Sequence, residues 1–171
     1  FFAANAMPAK RVALVLGGSQ FQYKVLTLPD LPEKKLRPIV TKELGMGAES
    51  QTLDDWMLLH RDPKAHSQTV LATRVDRSVI EGVLSVAKGA GLTLCCIDIG
   101  LASIIKLVRG IPALAGKTFI LLAFDGENLS AALFVQGQYS YSTRSRLFNT
   151  RGTPEAAAEI AQKLSGILQF H

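Results

Sequence analysis

The sequence predicts an α/β chain, with mixed sheets and flanking helices. Three observations point there. Short β-rich runs alternate with segments of helical period, turn residues separate nearly all of them, and 48% of the 171 residues are hydrophobic, enough for a sizeable core.

The elements follow in order. Arg11 to Leu16 (RVALVL) and Gln22 to Leu28 (QYKVLTL) read as two strands joined by a hairpin turn at Gly17-Gly18-Ser19, and Leu28-Pro29-Asp30 ends the second. Asp30 stands three residues before Glu33, the spacing of a capping box, and Leu36, Ile39, Val40 and Leu44 form an apolar stripe that stops at Gly45. This is a helix in which Pro38 removes one backbone bond and predicts a kink near Lys34. Thr52 to His60 and Gln68 to Val75 predict an antiparallel ribbon, with Arg61 to Ser67 as its loop.

Asp76 is placed to cap the next helix, where Ile80, Val83, Leu84 and Ala87 share a face before Gly89 and Gly91. Leu92 to Ile99 reads as a buried strand, and Leu101 to Val108 as a short helix ended by Gly110-Ile111-Pro112. Phe119 to Phe124, Leu129 to Val135 and Tyr139 to Ser145 predict a meander, divided at Asp125-Gly126-Glu127-Asn128 and Gln136-Gly137-Gln138. The last helix opens on Thr153 as N-cap and Pro154, with Ile160, Leu164, Ile167 and Leu168 on one face; Gly166 predicts close packing there. Residues 8–92 are thus expected to form a small α+β subdomain, and residues 93–171 a second, partial lobe with the meander and the terminal helix.

Composition narrows the function. The formal charge is +5, but basic residues are scattered among 14 acids without interleaved aromatics, which argues against nucleic acid and for a generic basic surface near anionic lipid or an acidic partner. Apolar runs such as Thr118 to Phe124 are strand-sized, far short of the roughly 20 residues that span a bilayer. Phe1 to Met7 lacks a basic n-region, so a secretory signal is not expected, and a start on Phe-Phe reads as a chain cut from something longer. Cys95 and Cys96 are adjacent on a strand, so they face opposite ways; they are expected as core filler in a reducing compartment.

No catalytic constellation emerges. His60, His66 and His171 are dispersed, with no ligand spacing for a metal. Asp54 and Asp55 are neighbours that face opposite ways on a strand, which leaves solvation as the expected role of at least one. Asp98-Ile99-Gly100 resembles a phosphate-binding D-x-G turn, but an apolar helix follows, so Asp98 is expected to cap that helix. Asp125-Gly126 does enter a hairpin, and Ser130 offers a hydroxyl; however, Phe124 occupies the position where a D-x-G turn carries its carboxylate. Trp56 to Leu59 is the most apolar part of the middle ribbon, where an open edge would accept a partner strand or peptide.

Together, VALVLGGSQFQYKVLTLPDLPEKKLRPIVTKEL, VLATRVDRSVIEGVLSVAKGAGLTLCCIDIG, the hairpins from Phe119 to Ser145 and EAAAEIAQKLSGILQFH resemble, in that order, the PilM family and its MshI-like and GspL relatives of type IV pilus and type II secretion machines. Lys163 stands where that last helix often carries Arg. The resemblance implies a partial actin-like, RNase H-like lobe with an inserted α+β subdomain. It implies a cytoplasmic scaffold at the inner face of the inner membrane, peripheral to it, whose partners are the tail of an inner-membrane protein or the assembly ATPase; a homodimer is compatible with it. Docking is expected on Lys34, Lys35 and Arg37 of the basic helix and on Trp56. Nothing corresponds to the family's first subdomain with its opening phosphate loop, and Phe124 replaces the Asp of PilM-like ATP binders. The chain is therefore expected to be neither an enzyme nor a holder of a cofactor. The alternative is an actin-like ATP and Mg binder in the full-length protein, with Gly126 and Ser130 at phosphate; a filament-forming relative of the FtsA family is a weaker one.

Overall fold

A computed structural model of the chain describes residues 11–17, 20–45 and 51–169. The turn at Gly18-Ser19, the segment Phe1 to Met7 and His171 lie outside them. The chain divides into two compact units, one reaching to Lys106 and one from Leu107 onward.

In the first unit, β1 (Arg11–Leu16) pairs in parallel with β5 (Thr93–Ile99). Strands β2 (Phe21–Pro29), β3 (Thr52–Asp62) and β4 (Ser67–Asp76) form an antiparallel sheet in the order β2-β4-β3. The expected hairpin between the first two strands is thus not formed, because β1 finds its partner far along the chain and β2 joins a different sheet. The same long-range pairing places β5 in the first unit, so the break between units falls after Lys106 and not after residue 92.

Helix α1 (Glu33–Leu44) covers one face of the antiparallel sheet: Leu36, Val40 and Leu44 pack with Leu28, Val70 and Ala72, all at most 6% exposed. It passes through Pro38 without interruption. The capping box is absent; Pro32 is the N-cap, and Asp30 instead meets Arg61 at 3.3 Å and receives Gln68 Nε2 at 3.4 Å. The ribbon β3–β4 is as expected, with an irregularity between Leu58 and His60. Helix α2 (Arg77–Gly89) starts at Asp76, whose side chain makes no capping bond, and α3 (Gly100–Arg109) follows β5. Both cysteines are exposed, contrary to expectation, since β1 is the only strand beside β5 among the described residues; Arg11 Nε donates to Cys95 Sγ at 3.1 Å.

In the second unit, β6 (Phe119–Asp125), β7 (Asn128–Val135) and β8 (Gln138–Arg146) form the expected meander with β7 in the centre. Helix α4 (Pro154–Leu168) packs Leu164 and Ile167 against Ile120, Leu122, Ala131, Leu133 and Val135. Thr153 caps it as expected, with Oγ1 accepting from Ala156 N at 3.2 Å. Gly166 has no packing reason: a Cβ built there would meet no atom within 4 Å. Gly137 does, because its φ is +76° and a Cβ would stand 2.9 Å from the backbone nitrogen of Gly116.

Candidate functional site

Besides a larger apolar groove of about 590 Å³ along β1 and α2, the first unit holds a cleft of about 380 Å³ that carries acidic and basic side chains. On one side are β3 and β4, contributing Leu53, Asp55, Met57 and Thr73; on the other are Ile97 and Asp98 of β5 with Ala102 and Lys106 of α3. Strand alternation explains the first wall: Val70, Ala72 and Arg74 turn toward α1, so Leu71, Thr73 and Val75 turn the opposite way. The lining is apolar with carboxylates at intervals.

Those carboxylates are not equivalent. Asp54 is held by Arg74 in a bidentate ion pair at 2.7 and 2.8 Å. The Arg74 guanidinium keeps its carboxyl below the usual range; burial opposes this, and Thr41 and Arg37 add to the lowering. Arg74 also donates to the backbone oxygens of Thr41 and Gly45 at the end of α1. Asp98 accepts from its neighbour Ile99 N at 3.0 Å, from Ser103 Oγ at 3.1 Å and from Lys106 Nζ at 2.7 Å, so its carboxylate is tied to α3 through two side chains and not, as expected, as a cap on the helix backbone. Asp55 is exposed and accepts from Trp56 N at 2.9 Å. Among the described residues β3 is the last strand of its sheet.

Of the residues singled out from the sequence, Arg37 and Trp56 come together: the guanidinium carbon lies 5.0 Å from the indole centroid. Arg37 also bonds Glu33 one turn away, at 3.3 Å. Lys34 and Lys35 are exposed on the same helix, outside the cleft, whereas Trp56 borders it. Sequence reasoning missed Arg74 and Lys106. Arg74 did carry a signal, since it shares the inward parity of Val70 and Ala72, where an unpaired charge is costly. Lys106 carried none.

In the second unit, Gly126 sits in the β6–β7 turn with φ +56°, and Ser130 lies on β7 opposite Ala123 and Arg144. Phe124 is 43% exposed, and the Arg151 guanidinium carbon lies 5.6 Å from its ring centroid. Glu159 is a second anchor: its side chain is 12% exposed and accepts from Phe148 N, Asn149 N and Asn149 Nδ2 at 3.0 to 3.2 Å. Burial pushes its carboxyl up, but the bonds from Asn149 and Phe148, with Lys163 nearby at 3.6 Å, bring it below the ordinary value.

No protein-family profile matches the chain, and no curated sequence does. Among solved structures it is similar to a chain of a PilM-PilN type IV pilus biogenesis complex, at TM-score 0.68 and 16% identity, over 85% of this chain and 45% of that one. It therefore shares that fold and spans less than half of that chain's length. A protein of Bacteroides thetaiotaomicron described as having an actin-like ATPase fold and unknown function matches at TM-score 0.45 and 13% identity, over 91% of this chain and 55% of that one.

Proposed function

We propose that this chain is part of an assembly scaffold of a type IV pilus or type II secretion platform, cytoplasmic and peripheral to the inner membrane, and that its first unit holds an extended tail of a platform membrane protein. The observation that carries the proposal is the cleft beside β3, apolar-lined and bordered by what is the edge strand of its sheet among the described residues. An extended peptide in such a place gains main-chain hydrogen bonds from the edge and side-chain pockets from the wall. The shared fold with a chain from a PilM-PilN complex supports the setting.

The role is one of binding, without catalysis. Asp54 turns with Arg74 toward α1 and away from the cleft, Asp98 is engaged by Lys106, and the turn that would hold phosphate in the nucleotide-binding alternative carries Phe124 beneath Arg151. Lys34, Lys35 and Arg37 offer a second contact on the far side of the β3 sheet, suited to the assembly ATPase.

The test is a titration of the chain with a synthetic peptide copying the cytoplasmic tail of a PilN-type protein from the same genome, followed by Trp56 fluorescence and calorimetry. Saturable binding is expected, and Met57→Glu and Ala102→Trp, which place a charge or a bulk in the cleft, should each weaken it at least tenfold. Equal binding by wild type and both variants would sink the cleft reading. Micromolar binding of Mg-ATP by the full-length protein, abolished by Gly126→Asp, would favour the nucleotide-binding alternative.

A further inference from the structure

We propose that Asp55 sets the charge specificity of the cleft beside β3, selecting an extended peptide in which a Lys or Arg stands between apolar residues two positions before and two positions after it. The assignment rests on the tail-binding reading and names the chemistry of the tail.

The acids nearest the cleft differ in what they have left to offer. Asp54 turns away into its two-bond ion pair with Arg74, and Asp98 already receives three donors, Lys106 Nζ among them at 2.7 Å. Asp55 lines the cleft and is exposed, and among the described residues no cation reaches it. Its Oδ1 accepts from Trp56 N at 2.9 Å, so the carboxylate is anchored to the backbone of β3 while its charge stays open. An acid anchored in this way loses little further freedom when a cation arrives.

Strand register supplies the flanking residues. Leu53 pairs with Val75 and Val75 with Phe21; Asp55 pairs with Thr73 and Thr73 with Tyr23; Met57 pairs with Leu71 and Leu71 with Val25. Successive rows across the sheet therefore run apolar, polar, apolar, and Asp55 ends the polar row. Neither Thr73 nor Tyr23 brings a positive charge to that row. Among the described residues β3 is the edge strand, so a peptide laid along it extends each row by one residue. Directly opposed side chains are the pairs that interact across strands, and opposite charges there are favourable. The peptide residue opposite Asp55 thus gains from a cation, and its neighbours two positions away on the same face meet Leu53 and Met57. The pattern reads the same in either chain direction.

The chemistry agrees with a membrane-protein tail. Segments of membrane proteins on the cytoplasmic side carry an excess of Lys and Arg close to the span. The chain itself has a formal charge of +5, so a basic tail gains nothing from its net charge and has to be read by a local acid.

The experiment measures fluorescence anisotropy with short capped peptides whose centre reads apolar-Thr-Xaa-Thr-apolar, with Leu, Ile, Val or Phe at both apolar positions and Lys, Gln or Glu at Xaa. Wild type should bind the Lys peptides about fivefold or more tightly than the Glu peptides at about 50 mM salt, with the gap narrowing at about 300 mM. Asp55→Asn should bind the three charge forms alike, and Asp55→Lys should prefer Glu. Moving Lys by one position turns it to the other face of the strand and should remove its advantage. Equal binding of the Lys and Glu peptides by wild type would overturn the inference, as would a preference for Lys that survives in Asp55→Asn or a failure of every peptide to bind. The tail peptide of the preceding test tells these failures apart from that of the reading beneath them. Saturable binding of that tail, weakened by Ala102→Trp, would keep the cleft reading and sink the charge assignment alone, whereas no binding of the tail would sink both.

Discussion

Arg74 and Asp54 face each other across the β3–β4 pair and close a two-bond ion pair whose side chains are 7% and 10% exposed. The same guanidinium reaches the backbone oxygens of Thr41 and Gly45, so one residue joins β3, β4 and the end of α1. Removing it would leave a buried carboxylate and two carbonyls without their donor. Arg74→Ala is expected to destabilise the first unit by about 3 kcal/mol or more, read from the urea midpoint. Arg74→Lys should recover only part of this, since an ammonium cannot make the fork.

The pH dependence has a definite sign. The Asp54 carboxyl lies below its unfolded value, so its contribution is complete above the unfolded pKa, near about 3.9, and is lost as pH falls through the lower folded value. Glu159 adds a contribution of the same sign. Urea midpoints between pH 6 and about 2 should therefore decline most steeply at the acid end. Asp54→Asn should flatten that decline while lowering stability at neutral pH.

Phe134 is fully buried, stacked on Phe119 at 5.0 Å and edge-on to Tyr139 at 6.1 Å. Phe134→Ala should cost about 3 to 5 kcal/mol in the second unit, measured by thermal denaturation.

Two glycines at positive φ should differ sharply when replaced by alanine. Gly126→Ala meets open space, so its cost is the left-handed backbone alone, about 1 kcal/mol. Gly137→Ala adds a contact of 2.9 Å to the backbone of Gly116 and should cost clearly more. Equal melting points for the two variants would contradict this ranking.

Both thiols should react with an aromatic disulfide reagent in the native chain at rates close to those in urea, because Cys95 and Cys96 are exposed.

Local pattern alone determined much of this protein. The alternation in QTVLATRV, the Asp-Gly turn after Phe124 and the Thr-Pro start of α4 each specify an element through contacts within a few residues, and each stands where the sequence placed it. It also determined that Asp54 and Asp55 point apart. What only the tertiary structure decided depends on partners distant in the chain. The sequence suggested a hairpin for β1, but hydrogen bonds do not favour the nearest strand once a parallel partner 80 residues on is available, as the register of Val12 with Leu94 and Leu16 with Ile99 shows. The cysteines read as core because an apolar strand is usually covered on both faces, and the number of neighbouring strands is not written in it. The pairing of Arg37 with Trp56, the grip of Arg74 on Asp54 and the cleft wall from α3 all arise the same way. Each needs two segments brought together by folding, and neither segment alone carries a record of the other.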